Sequence, residues 1–143
     1  MRRTLGIDFG ESRTGLAISD ELGLIAQGLT TFQGAEDEDF LINLSNIVKE
    51  MKVERIVVGL PKMMNGSLGE KAQKVKRFAE DIERKLGITT VLWDERLSSV
   101  QSQKILRQMG KKPSREKGMI DQISAVLILQ SYLDYDNTRE KSE

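Results

Sequence analysis

The sequence predicts an α/β domain built on a mixed five-stranded sheet with helices on its faces, and three patterns carry that reading. Three strand-like runs come first, joined by links short enough for antiparallel hairpins. Two further β-branched strands then alternate with stretches of helical period, the order expected of parallel strands with crossover helices. The last long apolar segment, "MIDQISAVLILQSYL", is too hydrophobic for a surface helix and should lie largely buried. The resulting order is β-β-β-α-β-α-β-α-α.

The first strand covers Thr4–Phe9, where Leu5, Ile7 and Phe9 alternate with Gly6, Asp8 and Gly10. "GESRT" turns the chain into Gly15–Ser19, and "DELG" turns it again into Ile25–Phe32. In "AEDEDFLINLSNIVKEM" the period changes. Phe40, Leu41, Leu44, Ile47, Val48 and Met51 share one helical face, and acids crowd the N-terminus, where the helix dipole favours them. Arg55–Leu60 is a short continuous apolar run, the mark of a buried parallel strand. A second helix is expected over Leu68–Leu86, opened by a Ser67/Glu70 capping box and closed by Gly87. Ile88–Trp93 is the fifth strand. Ser98 and Gln101 fit another capping box, for a helix that Gly110 ends. Lys111–Gly118 reads as a basic loop. Residues 1–135 are expected to form one domain, and the polar tail 136–143 should fray.

Composition narrows the chemistry. Among 143 residues there is no cysteine and no histidine, so disulfides, thiol nucleophiles, Cys-ligated zinc and His-based acid–base catalysis are excluded. The 22 basic residues balance 22 acidic ones, so any nucleic-acid surface must be local. No signal peptide or long apolar span is evident, which points to the cytosol.

What remains is carboxylates. Asp8 sits on the face of its strand that otherwise carries glycine, and an unpaired buried carboxylate needs a cation, donors or water. Asp94 and Glu95 directly follow the fifth strand. If the first and fifth strands run parallel, these acids end at the same edge, where ligands bind in such sheets. Asp121, expected in the first turn of the last helix, would join them. Each acid also has a structural use: Asp121 suits a helix N-terminus, and Asp94 or Glu95 could lead into a helix or pair with Arg96. Clustered acids repel unless a divalent cation neutralises them, and an all-oxygen set suits Mg²⁺ or Mn²⁺. Two such ions can drive hydrolysis of a phosphodiester by water.

Further residues could contact phosphate. "GLPKMMNGSLGEKA" carries Asn65 and Ser67 in a strand–turn–helix link that can hold an anion. Lys111, Lys112, Arg115 and Lys117 form the one dense basic cluster, as suited to a solvated connector as to a phosphate backbone. Arg13 follows Asp8 and could reach the same substrate. With seven aromatic residues, and Phe40 and Phe78 placed for packing, base stacking is not strongly signalled.

Four segments, "GIDFGESRTGLAISD", "VVGLPKMMNGSLGEKA", "WDERLSS" and "IDQISAVLILQSYL", together resemble the YqgF/RuvX family over Leu5–Leu133. The resemblance implies an RNase H-like fold related to the RuvC resolvases, and a divalent-metal nuclease of structured nucleic acid. Its substrate would be the precursor of 16S rRNA, cut at the 5′ end within RNA or ribosomal particles, or else a Holliday junction. By position, Asp8 corresponds to the metal-bridging acid, Glu95 to the second acid, and Asp121 to the acid of the last helix. Asp94 stands beside Glu95 as a further ligand candidate, and Arg96, Asn65 and Ser67 fall in motifs that would touch substrate. Ser124 stands where the family usually has alanine. Unlike RuvC, the fourth strand's exit offers no acid, which moves the second carboxylate to the fifth strand. Two other classes compete: a non-hydrolytic RNA-binding assembly factor, and an ATPase of the actin and Hsp70 type, which needs two such domains. Monomer and homodimer are both open; a membrane partner is not expected.

Overall fold

A computed structural model describes residues 3–10, 12–33, 38–61, 69–95, 104–112 and 117–142. Strands β1 (Arg3–Asp8), β2 (Arg13–Ser19), β3 (Ala26–Gln33), β4 (Val53–Leu60) and β5 (Thr89–Asp94) form one sheet in the order β3-β2-β1-β4-β5. β1–β2 and β2–β3 are antiparallel, whereas β1–β4 and β4–β5 are parallel. The first and fifth strands therefore point the same way, as the site reading required.

Alternation along each strand sorts residues to two faces. Leu5, Ile7, Leu16, Ile18, Ile56 and Val58 join one core with helices α1 (Glu38–Glu50) and α2 (Glu70–Leu86). There Phe9, Phe40 and Phe78 stack together, with ring centroids 4.4 Å and 5.9 Å apart, so both phenylalanines pack as expected. Ala17, Val57, Ala125, Ile128 and Leu129 build the second core beneath helix α3 (Lys117–Ser142).

Gly15 is what lets α3 lie so close. A Cβ there would collide with the backbone carbonyl of Asp121, which no rotamer change can relieve. Gly15→Ala is expected to cost about 2–3 kcal/mol, read as a lower urea midpoint with unchanged slope.

Three local expectations need correction. α2 begins at Glu70 with Gly69 as its N-cap and no side-chain cap bond, so the Ser67/Glu70 capping box is not the start; Ser67 itself lies outside the described residues. α3 begins at Lys117, taking that lysine out of the basic loop. Asp121 is consequently in the second turn of α3, one turn removed from the helix end that would have favoured its charge. α3 runs on to Ser142, and at the start of the polar tail Asn137 donates to the Gly23 carbonyl (2.9 Å) and Asp136 lies 3.9 Å from Arg55.

Gly87 and Gly110 both adopt left-handed φ, 68° and 78°, and close their helices as anticipated. Residues 104–108 are helical; the Ser98/Gln101 box lies outside the described residues. No helix among the described residues is long and apolar enough to cross a membrane.

Candidate active site

Register brings the acids together. Ile7 pairs with Val58 and Gly59 with Trp93, so Asp8, Gly59 and Trp93 follow one row across three parallel strands. Glu95 comes next on the Trp93 face, and its N–H donates to the Leu60 carbonyl (3.2 Å), extending the ladder past β5. Gly59 has no side chain, and the Glu95 carboxyl fills that space: a Cβ on Gly59 would strike Glu95 Oε2, and Ile128 Cδ1 would stand 2.5 Å away. Glu95 thereby reaches over β4 to Asp8, and the two carboxyls share a hydrogen bond.

Electrostatics follow from that burial. Desolvation chiefly pushes the Asp8 carboxyl up to about 6, with the Asp121 charge adding to the rise and the Glu95 bond opposing it. Glu95 is pushed up to about 8, first by burial, then by the Asp8 charge and hydrogen bond. Both shifts favour a proton held between the two carboxyls. Glu95 Oε2 is buried without a hydrogen-bond partner, a costly arrangement in a well-packed chain.

Asp121 faces the same rim from α3, but its Oδ2 accepts a 2.8 Å bond from Arg13 Nε. Burial raises its pKa and the guanidinium opposes the rise. The sequence grouped Asp8, Glu95 and Asp121 as one cluster; among the described residues no set of three acids stands close enough to hold a metal ion. Asp121 is instead paired with Arg13. Asp94, the last residue of β5, is exposed and one position out of phase with Trp93, and acts on Glu95 through its charge.

One participant was missed. The charge of Lys71 lowers the pKa of Asp8, Glu95 and Asp121 alike, so this lysine faces all three. It sits in the first turn of α2, where the helix dipole disfavours a cation. That misplacement was a usable signal. Lys71 also lines a cavity of about 490 Å³ with Gly10, Ser12, Arg13, Glu70, Lys74 and Asp121. Lys111 and Lys112 follow the turn closed by Gly110, where the Lys111 N–H caps the Leu106 carbonyl (2.9 Å). Asn65, Arg96 and Arg115 lie outside the described residues, as does Ser67. Lys117 opens α3.

The family described as RuvX, Holliday junction resolvase, matches residues 2–135. The chain belongs to the RuvX family. A relative from Thermoanaerobacter pseudethanolicus, named "Putative pre-16S rRNA nuclease", is 44% identical over 133 residues, 92% of this chain and 96% of its own. In three dimensions this RuvX-family chain is similar to Thermus thermophilus RuvC in complex with a Holliday junction substrate (TM-score 0.54, 14% identity, covering 93% and 94% of the two chains). It is also similar to the fowlpox virus resolvase in complex with its Holliday junction DNA (TM-score 0.58, 10% identity, 93% and 97%). Such low identities establish the shared RNase H-like fold. Membership in RuvX supplies the nuclease class.

Proposed function

We propose that this RuvX-family nuclease hydrolyses phosphodiester bonds in structured RNA, with the precursor of 16S rRNA as substrate, using a divalent cation at Asp8 and Glu95. The observation that carries the reading is the desolvated carboxyl pair at the strand ends, one oxygen of it unpartnered, beside a cavity lined by Arg13, Lys71 and Lys74 with Glu70 and Asp121. An all-oxygen pair of this kind fits Mg²⁺ or Mn²⁺, and Asp121 would complete the set once it leaves Arg13. A bound ion would supply polarisation of a phosphoryl oxygen and ready generation of hydroxide from water.

The chain's own groups do the rest. Lys71 and Arg13 provide positive charge where a scissile phosphate would rest, and the cavity they line admits it. Arg13, freed from Asp121, has a planar donor fork suited to two phosphate oxygens. The described acids hold the charge that a phosphate must meet through a cation, so substrate and ion are expected to bind together. The identity of the substrate rests on the relatives' name. A Holliday junction is the second reading, favoured by the description of the matching family.

Cleavage of a precursor-rRNA fragment and of a DNA four-way junction, with Mg²⁺ or Mn²⁺, separates the two. Metal-dependent cutting of the RNA with the junction left intact is expected. Resolution of the junction alone would transfer the activity to DNA, and no cutting of either would favour a binding role in ribosome assembly.

A further inference from the structure

An aromatic cluster stands on the same sheet face as the acids, at the open edge of β5. Trp93 lies one strand beyond Gly59 in the row that begins at Asp8, so its Cα is about 10 Å from that of Asp8 by the usual strand spacing. Glu95 is two residues further along the same strand and face. The indole packs edge-on against Tyr132 (centroids 5.4 Å apart, 90°) and tilted against Tyr135 (5.2 Å, 48°), and its Nε1 donates to Ser131 Oγ at 3.1 Å. Tyr132 is buried and its hydroxyl accepts from Arg55, which fixes the inner wall. Tyr135 is 50% exposed.

Packing alone does not require the outer tyrosine. Trp93 already has Tyr132 on one side and a hydrogen-bonded indole nitrogen, and a second ring on the solvent side adds exposed apolar surface. Two aromatic side chains held at a fixed tilt on the sheet face that carries the acids, with Tyr135 fourteen residues (about 21 Å of helix) along α3 from Asp121, form a surface on which a nucleobase can stack, whatever its identity. Among the described residues β5 is an edge strand of the sheet, with no sixth strand beyond it.

We infer that Trp93 and Tyr135 form a stacking platform for an unpaired nucleobase of the strand whose phosphate lies at Asp8 and Glu95. The inference rests on the nucleic-acid reading above and adds to it a requirement: the substrate must present a single-stranded base a few nucleotides from the scissile bond. A perfectly paired helix offers none.

Trp93 is the chain's one tryptophan, so its emission reports stacking directly. The test uses the full chain carrying Asp8→Asn, a fluorescently labelled unstructured RNA oligonucleotide, and parallel readings of oligonucleotide anisotropy and tryptophan emission. Emission is expected to be quenched with the same midpoint as the anisotropy change. Tyr135→Ala should raise Kd about tenfold without altering the salt slope, while Tyr135→Phe, which keeps the ring, should bind as the parent does. Binding without any change in emission, or a Tyr135→Ala variant that binds as tightly as the parent, overturns the platform and leaves the nucleic-acid reading in place. No binding at low salt by the parent overturns both.

Discussion

Asp8→Asn is expected to abolish cleavage and to leave the protein at least as stable as before. The amide keeps the size and hydrogen-bonding of the side chain but cannot carry the charge that would hold a cation between Asp8 and Glu95. A loss of about a thousandfold or more in rate is expected, the scale seen when a group acting on the reacting atoms is removed. Stability moves the other way because Asp8 is buried, hydrogen-bonded to one carboxyl and repelled by another. The check is a cleavage time course in Mg²⁺ or Mn²⁺ beside a melting curve. A variant that cuts at the parental rate ends the proposed role; one that fails to cut and also melts well below the parent would mean that Asp8 supports the fold.

The second large effect is on stability against pH. Asp8 and Glu95 both titrate in the folded state above their ordinary values of 3.8 and 4.5, at about 6 and about 8. Between those limits the native state holds protons that the unfolded chain has released, so without metal the stability is greatest at low pH and falls as pH rises towards 8. Glu95→Gln removes the larger part of this dependence. At pH 8 it should stabilise the metal-free protein by on the order of 3 kcal/mol, a rise in Tm of roughly 6–10 °C, and at pH 5 by almost nothing. Scanning calorimetry in chelator at the two pH values checks it. Equal gains at both would show that titration is not the cause. Adding Mn²⁺ at pH 8 should stabilise the parent and not Asp8→Asn, since a cation competes with protons for the same oxygens.

Much of this was legible in the residues. Alternation at Leu5, Ile7 and Phe9 and the continuous run Ile56–Leu60 gave strand identity and the parallel–antiparallel split, because burial on one face or two leaves different patterns. Asp8 and Glu95 stood out as charges in otherwise apolar or glycine-bearing strand ends. The partnership between Arg13 and Asp121 was not legible, since 108 residues separate them and only the close seat of α3 on Gly15 brings them together. Lys71 was missed although a cation near the start of the second predicted helix was a legible anomaly, because the capping pattern drew attention to Ser67 and Glu70 instead. Nor did the tail's composition reveal the contacts of Asn137 with Gly23 and of Asp136 with Arg55.

The carboxyls and the glycines beneath them stand under opposite pressures. Gly15 admits no added atom and a Cβ on Gly59 would displace the Glu95 carboxyl, whereas the acids strain the fold that carries them. A lineage of this chain can therefore lose its chemistry in one step, gain robustness by doing so, and keep intact the whole surface that meets nucleic acid. Reshaping the floor would take coordinated changes in two strands and a helix. Inactive descendants that still grip the same substrate lie one substitution away, and an inherited shape is no guarantee of an inherited activity.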